Sequence, residues 1–126
     1  VLVAPIIPGL TCHELEAIVA AAADAGAERA GYNLVRLPHE VKTLFEDWLR
    51  AHYPDRANKV LNLIRQCRDG KLNDAHFGSR MSGSGPYAEM IRKRFALAVR
   101  RHGLDGPRQP MNLTAFRGGD PQMTLF

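Results

Sequence analysis

The chain has 126 residues, 45% of them hydrophobic, which suits one domain with a modest core. No apolar run approaches the roughly 18 residues that span a bilayer, and the opening run lacks a basic flank, so no membrane helix or signal peptide is expected. The formal net charge is +4, with 6 basic and 8 acidic side chains in residues 1–63 but 11 and 5 in residues 64–126. A basic second half can attract nucleic acid or another anionic ligand, although such an excess also serves as ordinary solubilising charge.

Val1 to Ile7 is almost wholly apolar and stops at Pro8-Gly9, the pattern of a strand buried on both faces of a parallel sheet. Thr11 to Glu14 reads as a capping box, and Leu15, Ile18, Val19 and Ala22 follow at helical spacing until Gly26 closes the helix. Ala30 to Val35 is a second strand, ending at Arg36-Leu37-Pro38. Strand, helix and strand make one βαβ unit. From His39 to Tyr53 the stripe Val41, Leu44, Phe45, Trp48, Leu49 and His52 predicts a helix, with Pro54 as its stop. Val60, Leu61, Ile64 and Cys67 predict another, closed by Gly70. Residues 70–86 are a long polar connection of the kind that often carries function. Pro86 then fits the first position of a helix from Tyr87 to His102, with Tyr87, Met90, Ile91, Phe95, Ala98 and Val99 on its apolar side. Its Arg92, Lys93, Arg100 and Arg101 are candidate phosphate contacts, against a plain solvated face. Residues 104–121 have no periodicity and read as a flexible tail that ends on the apolar Gln122-Met123-Thr124-Leu125-Phe126.

Ligands of parallel α/β folds bind beyond the carboxyl ends of the strands, which makes Arg36, His39 and Glu40 the best-placed polar groups. The glycines around Gly83 and Gly85 lack a preceding strand, so they are no dinucleotide loop; with Arg80 they make a weaker anion-site candidate. Cys12 and His13 offer no zinc-type spacing, and the two cysteines form neither a disulfide framework nor an iron–sulfur run. A reducing, cytoplasmic setting is expected. Only two strands are readable, too few to bury both faces and both edges, so a fragment of a larger sheet is expected, prone to dimerise along Val1–Ile7.

Val3-Ala4-Pro5-Ile6-Ile7-Pro8-Gly9-Leu10, Arg36-Leu37-Pro38-His39-Glu40-Val41 and Leu44-Phe45 with Trp48-Leu49 together resemble a bacterial radical SAM family. So do Tyr53-Pro54-Asp55-Arg56, Gly70-Lys71-Leu72-Asn73-Asp74, Arg80 to Tyr87 and Arg94-Phe95, in order from Val1 to about Leu104. The family is similar to spore photoproduct lyase and is described as DNA-repair-photolyase-like. The resemblance implies a partial barrel of six βα units, with Val1–Ile7 as the fifth strand and Ala30–Arg36 as the sixth. Residues 1–103 would then be the end of a TIM-like α/β barrel with its trailing helices, and 104–126 a tail. It also implies a 4Fe-4S cluster and S-adenosylmethionine in the full-length protein, with the cluster cysteines outside this chain. Pro5, Ile7, Pro8, Arg36 and Leu37 would form one wall of the S-adenosylmethionine pocket. The last residues resemble the Gln-x-x-Leu-Phe peptides that bind the bacterial sliding clamp, with Gln122, Leu125 and Phe126 as the contacts. Besides the enzyme reading, a non-catalytic DNA- and clamp-recruited module fits the same residues.

Overall fold

Parallel pairing of the two predicted strands sets the architecture of the computed structural model, which describes residues 1–107, 110, 112 and 113. The element order is β1 (Leu2–Ile6), α1 (Leu15–Asp24), β2 (Gly31–Leu34), α2 (Val41–His52), α3 (Pro54–Gln66) and α4 (Gly85–Arg101). Leu2 lies opposite Gly31 and Val3 opposite Tyr32, with an irregularity before Ile6 meets Leu34. The result is a small α/β domain of two parallel strands and four helices.

The core has two parts. Val3, Ile6, Leu15, Val19, Leu34, Ile91, Phe95 and Val99 bring the sheet, α1 and α4 together. Val35, Leu37, Leu49, Val60, Leu61 and Ile64 gather the end of β2 with α2 and α3. Leu34 and Val35 enter different clusters because successive side chains of an extended chain point opposite ways.

Several predicted details differ. β1 buries only Val3 and Ile6, and Leu2, Ala4 and Pro5 are exposed, so it is not covered on both faces. The Thr11 capping box does not form: α1 starts at Leu15, with Glu14 as a cap that makes no side-chain bond. The Thr11 hydroxyl is used earlier, accepting the Ile7 N–H at 2.9 Å and fastening the turn that leaves β1. Gly26 does close α1, at φ +83°. The α2 stripe is mostly uncovered: Leu49 is buried and Phe45 half-buried, whereas Val41, Leu44 and Trp48 are exposed. The reason is that α2 packs chiefly on α3, whose contact needs only one side of the stripe. Pro54 ends α2 as predicted but also opens α3. Met90 is exposed, and Ala88 takes its place in the core. Leu104, placed at the start of the tail by sequence, is buried, and Asp105 bridges to Arg29, so packing continues past the predicted boundary at residue 103.

The two edges of the sheet are treated differently. Beyond β2 the segment before α4 folds back alongside the strand, and the Leu34 N–H donates to the Met81 carbonyl at 2.8 Å. Gly83, at φ +74°, passes so close that a Cβ there would lie 2.7 Å from Leu34 Cδ1 and 2.9 Å from the Cys67 carbonyl. Beyond β1 no described strand follows, and a groove of about 270 Å³ runs between it and α1.

Candidate functional site

The carboxyl edge of the sheet is built by the turn after β1 and by the extended residues after β2. The Ile7 carbonyl accepts both the Leu10 and the Thr11 N–H at 3.0 Å, which bends the chain sharply at Pro8-Gly9. Of the five residues expected to wall a ligand here, Pro8 and Leu37 are fully buried and Ile7 packs on the second core cluster. Pro5 is exposed, in the middle of β1. Arg36 is half-buried, and its Nε is buried without a hydrogen-bond partner among the described residues. His39 and Glu40 are exposed, with His39 at φ +44°, a conformation uncommon for a residue with a side chain. Arg36 is therefore the residue of this group with unspent hydrogen-bonding capacity beside the edge.

Next to it stands a side chain that the sequence reading passed over. Arg68 is only 2% exposed. It donates to the Val35 carbonyl at 3.0 Å and to the Ser79 carbonyl at 3.1 Å, tying the loop to the end of β2. No described carboxylate lies within ion-pair distance of it. Burial pushes its pKa down, opposed first by the Asp74 charge, while the Arg36 charge adds weakly to the lowering. A signal was present: Arg68 continues the spacing of Val60, Leu61 and Ile64, so it is a cation on an apolar stripe.

The loop that Arg68 holds is ordered by Asp74. One Asp74 oxygen accepts the His76 N–H at 2.9 Å and meets His76 Nδ1 at 2.7 Å, and the other accepts the Ser79 hydroxyl. These bonds, led by Ser79, hold the Asp74 carboxyl far below the usual range, so it is ionised throughout the physiological interval. Together with Arg68, Lys71, Asn73 and Ser84 these residues enclose a cavity of about 410 Å³. Arg80, expected to serve an anion near the glycines, instead lies over the Phe77 ring at 4.3 Å.

The basic residues of α4 divide into two kinds. Arg92 pairs with Glu89 on its own helix, and Arg94 holds Glu16 of α1 in a fork of 2.7 and 2.6 Å. Lys93, Arg100 and Arg101 are exposed, with no ion pair among the described residues. Gln122, Leu125 and Phe126 lie outside the described residues.

The two cysteines do not fit an iron–sulfur cluster. Both are buried; Cys12 Sγ is 3.4 Å from the Gly9 nitrogen and from the Tyr87 hydroxyl, and burial pushes the Cys67 thiol up. The Tyr87 phenol is pushed up to about 12, first by burial and then by its hydrogen bond to Cys12, so it keeps its proton at neutral pH. No group of three or more metal-binding side chains occurs among the described residues, and no described helix is long and apolar enough to cross a membrane. Comparison of the chain with protein-family models, curated proteins and solved structures gives no match.

Proposed function

We propose that this chain is the carboxyl-terminal part of a radical SAM iron–sulfur enzyme that acts on nucleic acid. The sequence resemblance motivates the reading, and the observation that carries it is the parallel β1–α1–β2 unit with an open outer edge on β1. Such a unit is what the last two strands of a partial (β/α)6 barrel require, with the earlier strands added along β1. In this reading Pro5, Ile7 and Arg36 are the residues left to face S-adenosylmethionine, because Pro8 and Leu37 are spent on the core. Arg36 fits best, since its buried Nε has a donor to give. The cluster would be held wholly by cysteines elsewhere in the protein, so this chain by itself is inactive in radical chemistry.

The test uses the intact open reading frame, purified without oxygen. Near four irons per chain and reductant-dependent release of 5′-deoxyadenosine are expected. Iron-free protein with no such release sinks the reading. A second reading, a non-catalytic module recruited to DNA and to the sliding clamp, is favoured by the unpaired Lys93, Arg100 and Arg101 on α4. It predicts salt-dependent DNA binding by iron-free protein, weakened when these three are neutralised.

A further inference from the structure

We infer that the cavity between Arg68, Lys71 and the start of α4 is a binding site for a small phosphate-class anion that also carries a hydrogen-bond donor. The inference stands apart from the radical SAM reading and does not depend on it.

A guanidinium has five N–H donors, and Arg68 spends two of them on the Val35 and Ser79 carbonyls. Arg68 also lines a cavity of about 410 Å³, a size that admits a small-molecule ligand. Burying a cation without an anion is costly, and neither Arg68 nor Arg36 has a described carboxylate in ion-pair range. An anion bound here would offset the Arg68 charge.

Further features point to the same ligand. Lys71 is exposed, lines the cavity and makes no ion pair among the described residues, and Ser84 lines it as the cap of α4. Its side chain makes no cap bond, and the 17-residue helix behind it presents the positive end of its dipole. Asn73 lines the cavity too, and its Oδ1 is buried with no partner among the described residues, an acceptor with room for a donor. The acids on the wall limit the ligand's charge. Asp74 has both oxygens committed within the loop, and Asp69 stands exposed at the mouth, so a polyanion is disfavoured. Hydrogen phosphate supplies both the anionic oxygens and a hydroxyl for Asn73, and a sugar phosphate monoester supplies the oxygens from its phosphate and the hydroxyl from its sugar.

The experiment titrates the full chain with inorganic phosphate at constant ionic strength, following the backbone amides of Lys71, Asn73 and Ser84 by NMR. Saturable shifts with a Kd of about 1 mM or tighter are expected. Arg68→Gln should abolish them, but it can unfold the loop, so surface changes carry the test. Lys71→Gln should weaken binding about fivefold, the effect of one unit charge roughly 4 Å away in water, and Lys42→Gln, exposed on α2 and outside the cavity lining, should leave it unchanged. A 5′-mononucleotide that binds tighter than phosphate identifies an ester as the ligand; equal affinity identifies the free ion. Shifts that do not saturate, or that weaken equally in Lys71→Gln and Lys42→Gln, overturn the inference.

Discussion

The two strands pair with each other, yet their outer edges have opposite fates. β2 is sealed by a loop that gives its Met81 carbonyl to Leu34, that Arg68 pins at Val35 and Ser79, and that Gly83 allows to pass at van der Waals distance. β1 has no such cover, and Leu2 stands 59% exposed beside a shallow apolar groove. A sealed edge is a finished surface on which a site can be built, and the candidate anion cavity lies against it. An open edge is a surface that still asks for a strand.

The sealed side can be broken most severely at Gly83. Gly83→Ala adds a Cβ against the Cys67 carbonyl and Leu34 in a left-handed conformation, so a loss of about 3–5 kcal/mol is expected in urea unfolding. If the loop simply swings away, stability falls little and the sealing argument fails. Arg68→Met keeps the packing volume but orphans the buried Val35 carbonyl and the part-buried Ser79 carbonyl, for about 2–3 kcal/mol. Its sharper signature is hydrogen exchange: the Leu34 amide should lose protection far more than the Val35 amide, which bonds across to Ile6.

These contrasts also show what the sequence could and could not reveal. The βαβ unit was legible because Val3, Ile6, Leu34 and Val35 report burial directly, and Gly26 and Pro54 mark chain reversals that few other residues permit. The uncovered half of the α2 stripe was not, because Leu44 and Leu49 look alike until the neighbour is known; only α3 decides which is buried. Arg36 was found from its place after a strand. Arg68 was missed because its partners are backbone carbonyls, which any sequence supplies, and no acidic residue at fixed spacing announces them. Thr11 misled for a related reason, since its hydroxyl serves the end of β1 instead of the helix it precedes.

On the β1 side the nearest thing to a clamp is the fork between Glu16 of α1 and Arg94 of α4. The Arg94 hydrogen bonds lower the Glu16 pKa. A depressed carboxyl adds stability above its unfolded pKa and loses it as pH falls through the folded one, so the contribution fades below roughly pH 4.3. Both side chains are substantially in water, which limits the effect to under about 1 kcal/mol. Glu16→Gln should therefore lower stability slightly at pH 7 and not at pH 3, in matched urea titrations. An equal loss at both values would mean that packing, not charge, joins the two helices.

The smallest effect on stability belongs to Leu2, and it tests the comparison most directly. Leu2→Lys removes an exposed apolar side chain from an open strand, so unfolding should change by no more than about 0.5 kcal/mol. Association is where the difference should appear. An uncovered parallel edge presents unpaired amides and carbonyls, and Pro5 removes only one donor from the row. The 126-residue chain should self-associate with rising concentration in sedimentation velocity, and Leu2→Lys should shift it to monomer. Phe77→Lys, in the loop on the sealed side and 85% exposed, removes more apolar surface and should leave association unchanged. If Phe77→Lys dissolves the assembly and Leu2→Lys does not, exposed hydrophobic area governs association, and the open edge is inert.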